Sequence, residues 1–276
     1  MGTQSLEVPQ LGELLRYWRQ ERGKSQLDLS MDTGISQRHL SFVESGRTLP
    51  SRDMVVRLCD ALDVPLRARN ELLVSAGYAA LYAERSLDLM GMNGVRDALH
   101  RMVSHHEPFP AFVVDRTWRV VMNNAGATRL ISACFDDAML RSLSRDGALN
   151  LMRVMFEPSQ MRPRIRNWHM VGARLLARLR NEARGDPTSP SMALLKEFGP
   201  TVDGGLGAEG HDRLELPIVP VELGVGGATL KLFNTITTFG TPQDVGLQEL
   251  RIEMSYPMDA ETRAFLSGSA QNEKAG

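Results

Sequence analysis

The sequence of 276 residues contains only two cysteines and no long apolar run. Cys59 and Cys134 lie far apart and form no CxxC pair, which argues against a disulfide scaffold or a zinc site and fits reduced thiols. No stretch approaches the roughly 18 to 20 consecutive apolar residues that a membrane helix needs. The N-terminal residues also lack the basic-then-apolar order of a signal peptide. We therefore expect a cytoplasmic protein with no membrane association.

Motifs that mark an enzyme are also missing. There is no GxSxG elbow and no P-loop, and His105-His106-Glu107 lacks the HExxH spacing. A GxGxxG match at residues 205–210 lies close after Pro200, and Pro217 follows it, so a flexible loop is expected in place of a strand-to-helix phosphate turn. We expect no enzymatic activity, no catalytic residues, no cofactor and no bound metal.

Charge is nearly balanced, with a formal net charge of −1. Residues 1–78 carry ten basic and ten acidic side chains, whereas residues 199–276 carry five and 11. No segment is basic enough to indicate nucleic-acid binding by charge alone. Any DNA binding must therefore depend on the local placement of side chains.

Residues 11–77 show the pattern of short helices. Leu11, Leu14, Leu15 and Trp18 follow the i, i+3, i+4, i+7 spacing of one apolar helical face. Further starts and stops come from capping serines, glycines and prolines. They predict a second helix from Gln26 to about Thr33, a third opened by Ser36, a fourth after Pro50-Ser51 and a fifth after Pro65. Five short helices predict a compact all-α domain.

The second and third helices are separated by a short turn at Gly34-Ile35, which is helix-turn-helix spacing. The string SQLDLSMDTGISQRHLSFVESGRTLPS, residues 25–51, resembles the XRE family of phage repressor-type helix-turn-helix domains. The resemblance implies that Arg19 and Glu44 form a structural ion pair. It also implies a set of DNA-contacting residues: Gln26, Ser36, Gln37, Arg38, Ser41, Phe42 and Arg47.

The implied contacts differ in kind. Gln26 and Arg47 would bind phosphates, Gln37 would pair with adenine, and Arg38 would pair with guanine. Phe42 stands where a polar residue is common in the family, so it would either meet a thymine methyl group or pack on another helix. Specific binding normally needs two half-sites about 34 Å apart. We therefore expect a homodimer on a palindromic double-stranded DNA operator.

The pattern of apolar and polar residues changes after residue 93. Residues 109–122 predict a β-hairpin, 123–134 a helix, and 161–183 contain an amphipathic helix. Residues 214–225, 228–239 and 247–254 predict three consecutive strands. The second domain is therefore expected to be α+β.

Two long segments there, NLMRVMFEPSQMRPRIRNWHMVGARLLARLRNEA at 150–183 and LFNTITTFGTPQDVGLQELRIEMSYP at 232–257, resemble the C-terminal domain of MmyB-like transcription regulators. The hairpin at 113–130 also fits that family. The resemblance implies a PAS-like fold whose apolar cavity binds fatty acids or similar lipids. The expected cavity residues are Phe112, Val114, Met122, Met152, Met155, Trp168, Val171, Leu175, Phe233 and Ile236.

Residues 153–184 hold eight arginines against Glu157 and Glu182. Three interpretations stay open: salt bridges to the acidic last third, a solvated face, or an anion-binding patch for a lipid carboxylate or DNA. Arg174 and Arg178 share a helix face at i, i+4, so together they can serve one anion.

These patterns predict a two-domain regulator of transcription. The expected parts are an all-α five-helix helix-turn-helix domain at 1–78, a connecting helix or linker at 79–93, an α+β PAS-like domain with an antiparallel sheet at 94–266, and a flexible tail at 267–276. The second domain would sense a small apolar, fatty-acid-like effector. The alternative is a dimerisation or protein-interaction module without a small-molecule ligand, which a filled core would favour.

Overall fold

A computed structural model describes residues 10–87, 91–145, 147–184, 189–202 and 218–268, with only the backbone described at Arg145 and Val202. The chain divides into two compact units. The first contains the residues up to Ser86 together with Gly240–Gln248, and the second contains Leu87–Phe239 and Glu249 onward. Nothing in the residue pattern sets 240–248 apart from its neighbours, so the sequence alone places it in the second domain.

Five helices form the bulk of the first unit, as predicted. Ser25 and Asp28 form the expected capping box before the second helix, and Gly34 ends that helix with a φ of +69°, which favours glycine. Leu29, Leu40 and Leu58 lie in the common core. The helices are α1 (Leu11–Glu21), α2 (Gln26–Thr33), α3 (Gln37–Glu44), α4 (Arg52–Ala61) and α5 (Leu66–Ser75).

The helix predicted within residues 79–93 is wrong for the described residues, because 79–87 are not helical and the next helix begins only at Asn93. The Asn70 side chain accepts hydrogen bonds from the backbone N–H groups of Leu81 and Tyr82, at 2.9 and 3.0 Å, and donates one to the Tyr82 carbonyl at 2.8 Å. These bonds satisfy backbone groups that a helix would otherwise use. The segment therefore follows α5 as an irregular connection.

The second unit is built on a five-stranded sheet of order β2-β1-β7-β6-β5 with antiparallel pairing throughout. A separate two-stranded hairpin, β3–β4, accompanies it. The predicted α+β class with an antiparallel sheet is confirmed. The strands are β1 (Ala111–Val114), β2 (Val120–Asn123), β3 (Ser144–Arg145), β4 (Ala148–Leu149), β5 (Val221–Val225), β6 (Ala228–Thr237) and β7 (Arg251–Pro257).

The prediction of a strand over 247–254 is wrong at its start, because Val245–Glu249 form a short helix, α12. The Asp244 side chain accepts a hydrogen bond from the N–H of Leu247 at 3.3 Å, and its carbonyl accepts one from Gln248 at 3.0 Å. Asp244 thus starts a helical turn that the β-rich composition hides. Of the strand predicted over 214–225, residues 214–217 lie outside the described residues and 218–220 are not in a strand.

Helices pack against the strands of the sheet. The helices predicted within 123–134 and 161–183 are confirmed, whereas the others were not predicted. The set comprises α6 (Asn93–His105), α7 (Ala125–Cys134), α8 (Asp137–Leu143), α9 (Leu151–Phe156), α10 (Trp168–Ala183), α11 (Pro190–Val202) and α13 (Ala260–Leu266). None of the described helices combines the length and apolar character needed to cross a membrane.

Two predicted irregular segments fall largely outside the described residues. The GxGxxG match at 205–210 is among them, and the preceding helix α11 ends at Val202. Of the tail predicted at 267–276, only Ser267 and Gly268 are described, and Ser267 caps α13.

Candidate DNA-reading surface and ligand cavity

The exposed start of α3 carries the predicted base-reading residues. Ser36 caps the helix by accepting a hydrogen bond from the N–H of His39 at 3.3 Å. Gln37 and Arg38 follow it and are exposed, whereas Ser41 one turn later is half-buried. Leu40 and Val43 hold the opposite face in the core. The fold therefore presents donor and acceptor groups along one edge of α3, as a helix that enters the major groove requires.

Phe42 lies between two arginines of this surface. The Arg38 guanidinium carbon lies 5.4 Å from the centroid of the Phe42 ring, and that of Arg47 lies 5.8 Å from it. The backbone also links the group, since the Arg47 N–H donates to the Phe42 carbonyl at 2.8 Å. An aromatic face attracts guanidinium groups. The Phe42 ring thus contacts the guanidinium groups of Arg38, in the first turn of α3, and of Arg47, which follows the helix.

The predicted ion pair between Arg19 and Glu44 is present. Arg19 Nε and Nη2 donate to Glu44 Oε1 and Oε2 at 2.6 and 3.0 Å, and Arg19 Nη1 donates to the Lys24 carbonyl at 2.8 Å. Gln26 donates to the same carboxylate at 2.9 Å. The amide group that the resemblance assigns to a phosphate is therefore oriented by Glu44, and it retains a second N–H.

The Glu44 side chain is only 1% exposed. Burial alone raises the pKa of a carboxyl group, but the hydrogen bonds from Arg19 and Gln26 outweigh it, so the pKa of Glu44 lies below its ordinary value. Glu44 is consequently charged at neutral pH and joins the start of α2 to the end of α3.

A cavity of about 520 Å³ lies in the second unit between one face of the sheet and helices α7, α9 and α10. Its wall is mostly apolar, which suits a small apolar molecule. The lining residues are Phe112, Trp118, Leu130, Ile131, Cys134, Leu151, Met152, Val154, Met155, Met161, Val171, Arg174, Leu175, Arg178, Ile218, Val219, Val221, Leu223, Leu232, Phe233, Asn234, Thr235, Ile236, Glu253 and Ser255.

Seven of the ten predicted cavity residues line it: Phe112, Met152, Met155, Val171, Leu175, Phe233 and Ile236. Met122 does not, because it pairs with Val113 and so faces the side of the sheet opposite Phe112. Val114 shares the face of Phe112 but is fully buried in the core. Trp168 instead packs edge-on against Phe156 at 5.2 Å and lies under Arg162.

Polar residues of the sheet also line the cavity: Thr235, whose hydroxyl the sequence places equally well inside or on the solvent face, and the unpredicted Asn234, Glu253 and Ser255. Glu253 and Ser255 alternate with Ile252 and Met254 along β7, so they share one face of the strand, and this period-2 pattern is the signal that could have found them. Ser255 Oγ donates to Asn234 Oδ1 at 2.9 Å. The Thr235 hydroxyl oxygen is buried and has no hydrogen-bond partner among the described residues.

The arginines of residues 153–184 have different partners. Arg174 and Arg178 both line the cavity, as their shared helix face predicts. Arg178 Nη2 lies 2.7 Å from Glu253 Oε1, which is a salt bridge to the acidic last third. Arg153 pairs instead with Glu197 on α11. No single one of the three interpretations describes the whole cluster.

Glu182 fixes the arginines beside the cavity. It accepts hydrogen bonds from Trp118 Nε1 at 2.9 Å, from Ser191 Oγ at 2.8 Å and from Arg178 Nε at 3.2 Å, and it also binds Arg251. The guanidinium carbons of Arg178 and Arg251 each lie 4.2 Å from the Trp118 ring centroid. Charge and stacking together restrict Arg178 to one position on the cavity wall.

Comparison with known proteins assigns both units. A family model described as the MmyB-like transcription regulator ligand binding domain matches residues 95–267. The chain belongs to the MmyB-like transcription regulators. A second model, described as a helix-turn-helix domain, matches residues 10–72 of this MmyB-like regulator. The predicted resemblance to both classes is confirmed, and assignment to the XRE subgroup stays a prediction.

The curated relatives of this MmyB-like regulator are described as "Transcriptional regulator ClgR", from Mycobacterium tuberculosis strains CDC 1551 / Oshkosh and ATCC 25618 / H37Rv. Each is 32% identical over 75 residues, which is 27% of this chain and 64% of ClgR. The match thus spans less than two thirds of those relatives.

Among solved structures, the PAS domain from Bordetella pertussis BvgS is 16% identical, and the match covers 64% of this chain and 98% of that one with a TM-score of 0.23. A TM-score this low does not establish a common fold. The α+β description of the MmyB-like regulator therefore rests on its own strand pairing. Within the described part of the chain, no group of three or more His, Cys, Asp or Glu side chains is placed to hold a metal ion.

Proposed function

We propose that this regulator binds a palindromic DNA operator as a homodimer, with α3 of each subunit in the major groove. The exposed Gln37 and Arg38 at the capped start of α3 carry this proposal. They read adenine and guanine, and Ser41 and Phe42 contact the bases or backbone one turn later. Gln26, Ser36 and Arg47 hold phosphates around the helix. Two half-sites about 34 Å apart then supply the affinity that one domain lacks.

The second domain takes a small apolar effector of the fatty-acid type. The cavity of about 520 Å³ supports this function more directly than any other feature. Its methionines, Met152, Met155 and Met161, adapt to irregular apolar shapes. Arg174 and Arg178 offer positive charge to a carboxylate. A filled core would favour a protein-interaction module, and the cavity supports the small-molecule function instead. A cytoplasmic location and the absence of enzymatic activity complete the proposal.

Native mass spectrometry on gently purified protein, followed by denaturing extraction, tests the dimer and the effector together. We expect a dimer that carries an organic adduct on the order of a few hundred daltons, the mass that a cavity of this size admits. A monomer at working concentration would contradict the dimer. A dimer without adduct that also fails to bind palmitic acid would contradict the fatty-acid effector.

A pair of substitutions to tryptophan locates the adduct. Met155→Trp fills the cavity, so it should abolish the adduct. Met122→Trp is the matched control, because Met122 faces the other side of the sheet. Retention of the adduct by Met155→Trp would place the bound molecule elsewhere.

The DNA-binding part is tested by selecting duplexes from a random library with the full-length protein. We expect the selected sequences to share two inverted half-sites with centres about one helical turn, or a multiple of it, apart. Enrichment of a single half-site would contradict the dimeric operator. No enrichment above a mutant in which Gln37 and Arg38 are both alanine would contradict the base-reading role of α3.

A further inference from the structure

Residues 240–248, here named the coupling segment, pack with the DNA-binding helices although β6 and β7 of the other unit flank them in the chain. Asp244 forms a β-bridge with Ala83, and the N–H of Val245 donates to the Ala83 carbonyl at 2.8 Å. The N–H of Arg85 donates to Asp244 Oδ1 at 3.4 Å. The coupling segment is therefore bound to the connection that follows α5.

This contact is closely packed. Asp244 is 5% exposed and Val245 is 1% exposed. A Cβ atom added to Gly246 would lie 2.8 Å from the Arg85 carbonyl oxygen, so only glycine fits there without a shift of the backbone. A buried carboxylate and a glycine without room for a side chain describe a fixed contact rather than a loose loop.

The coupling segment also completes α5. Pro65 precedes that helix and provides no side-chain cap. Gln248 Oε1 accepts a hydrogen bond from the N–H of Leu66, the first residue of α5, at 2.7 Å. The first turn of a helix leaves such N–H groups unsatisfied. A residue from the far end of the chain thus supplies the cap that the local sequence lacks.

The strands on both sides of the coupling segment line the ligand cavity. Thr235 and Ile236 lie a few residues before it on β6, and Glu253 and Ser255 lie a few residues after it on β7. The two strands pair directly here, since Ile236 lies opposite Glu253 and Asn234 lies opposite Ser255. A ligand that shifts this strand pair therefore moves both ends of a segment that is bound to the DNA-binding helices.

We propose that the coupling segment transmits effector occupancy of the cavity to the DNA-binding helices, with Gln248 as the residue that passes it to α5. The proposal rests on the proposed function of the cavity. It requires that the ligand favours one position of the β6–β7 strand ends over another. Asp244 and Gly246 then hold the segment in place, and Gln248 changes how firmly the first turn of α5 is capped.

Amide hydrogen exchange of the full-length protein tests the transmission. In Gln248→Ala the amides at the start of α5 should exchange about fivefold faster than in the wild type, because their cap is lost. Gln243→Ala is the matched control, since Gln243 is an exposed glutamine of the same segment. Gln248→Glu keeps the acceptor oxygen and should behave like the wild type, which separates loss of the bond from general disruption.

Palmitic acid then serves as the probe, with its binding measured separately by calorimetry. In the wild type and in Gln243→Ala we expect palmitic acid to change α5 exchange by at least about threefold and to change affinity for the selected duplex. Gln248→Ala should bind palmitic acid equally well and show neither response. A full response in Gln248→Ala would overturn the proposal, as would an unchanged α5 in wild-type protein that measurably binds the acid.

The test still works if palmitic acid does not bind, an outcome that would count against the fatty-acid effector and not against transmission. Met155→Trp then stands in for an occupant of the cavity. It should alter α5 exchange when combined with Gln243→Ala and leave it unaltered when combined with Gln248→Ala. Equal α5 exchange in Met155→Trp and the wild type would overturn the coupling role.

Discussion

Arg19 and Glu44 form a two-pronged ion pair, with donor–acceptor distances of 2.6 and 3.0 Å, between α1 and the end of α3. Glu44 also accepts the Gln26 amide from the start of α2. Three helices are therefore joined at one carboxylate that is almost fully buried. This arrangement fixes the end of α3 against α1 and the start of α2.

Removing the cation should destabilise the first unit. We expect Arg19→Ala to lower its free energy of unfolding by about 3 kcal/mol, because Glu44 would be left charged and buried. Arg16→Ala is the control, since Arg16 lies 3.6 Å from Glu44 and is 50% exposed, and such pairs contribute at most about 1 kcal/mol. Hydrogen exchange of the Leu40 and Val43 amides measures the stability of the first unit in both variants. Equal protection in the two would show that the ion pair contributes little.

The same carboxylate predicts acid sensitivity. Because the pKa of Glu44 is lower in the folded than in the unfolded protein, its charge stabilises the fold above the unfolded pKa of about 4.3, and that stabilisation is lost as the pH falls through the folded pKa. Glu44→Gln should be less stable at pH 7 and lose less stability than the wild type between pH 5 and pH 3. Melting curves of α-helical signal across that range measure the difference. If Glu44→Gln and the wild type lose the same amount of stability between pH 5 and pH 3, the prediction is wrong.

Elements that are defined by contacts between neighbouring residues can be predicted from the sequence, whereas contacts between distant residues cannot. Ser25, Asp28 and Gly34 determine the bounds of α2 within one short stretch, so the pattern predicts that helix to the residue. Residues 247–249 are predicted as strand but belong to the short helix at Val245–Glu249, because Asp244 starts that helix through a side-chain hydrogen bond that the β-rich composition does not reveal. Met122 was misplaced because the face of a strand depends on register with Val113. The cap on α5 joins residues 66 and 248, and no local pattern contains that information.

Substitutions distinguish the proposed base-reading role of Arg38 from the proposed phosphate-binding role of Arg47. We expect Arg38→Ala to lose discrimination at one base pair, worth about 1–3 kcal/mol, and to keep weak salt-sensitive binding. Arg47→Ala should weaken binding to all duplexes about equally. It should also reduce the slope of log affinity against log salt concentration by about 1. Competition assays with single-base-pair variants of the selected duplex, repeated at several salt concentrations, measure both effects. Unchanged discrimination by Arg38→Ala would show that Arg38 does not read a base.

We expect Phe42 to affect DNA binding through the two arginines that contact its ring. Phe42→Leu keeps an apolar side chain but removes the ring face on which Arg38 and Arg47 lie. Such contacts contribute about 0.5–1 kcal/mol at exposed sites, so we expect discrimination to fall about threefold. In an Arg38→Ala background the same substitution should have little further effect on discrimination. A full additional loss in the double variant would indicate that Phe42 contacts DNA by itself, for example at a thymine methyl group.

The charged wall of the cavity predicts how an effector with a carboxylate is recognised. Arg174→Gln should weaken the binding of palmitic acid by about tenfold, which is the loss expected for one charge-assisted hydrogen bond. The affinity for palmityl alcohol should stay nearly unchanged. Glu253→Gln should act in the opposite direction, because it keeps an acceptor for Arg178 while removing a negative charge from the same wall. Calorimetric titration of both probes measures the four affinities. If Arg174→Gln weakens the acid and the alcohol equally, the carboxylate does not lie at Arg174, and the arginine pair serves to hold the wall of the cavity rather than to select its ligand.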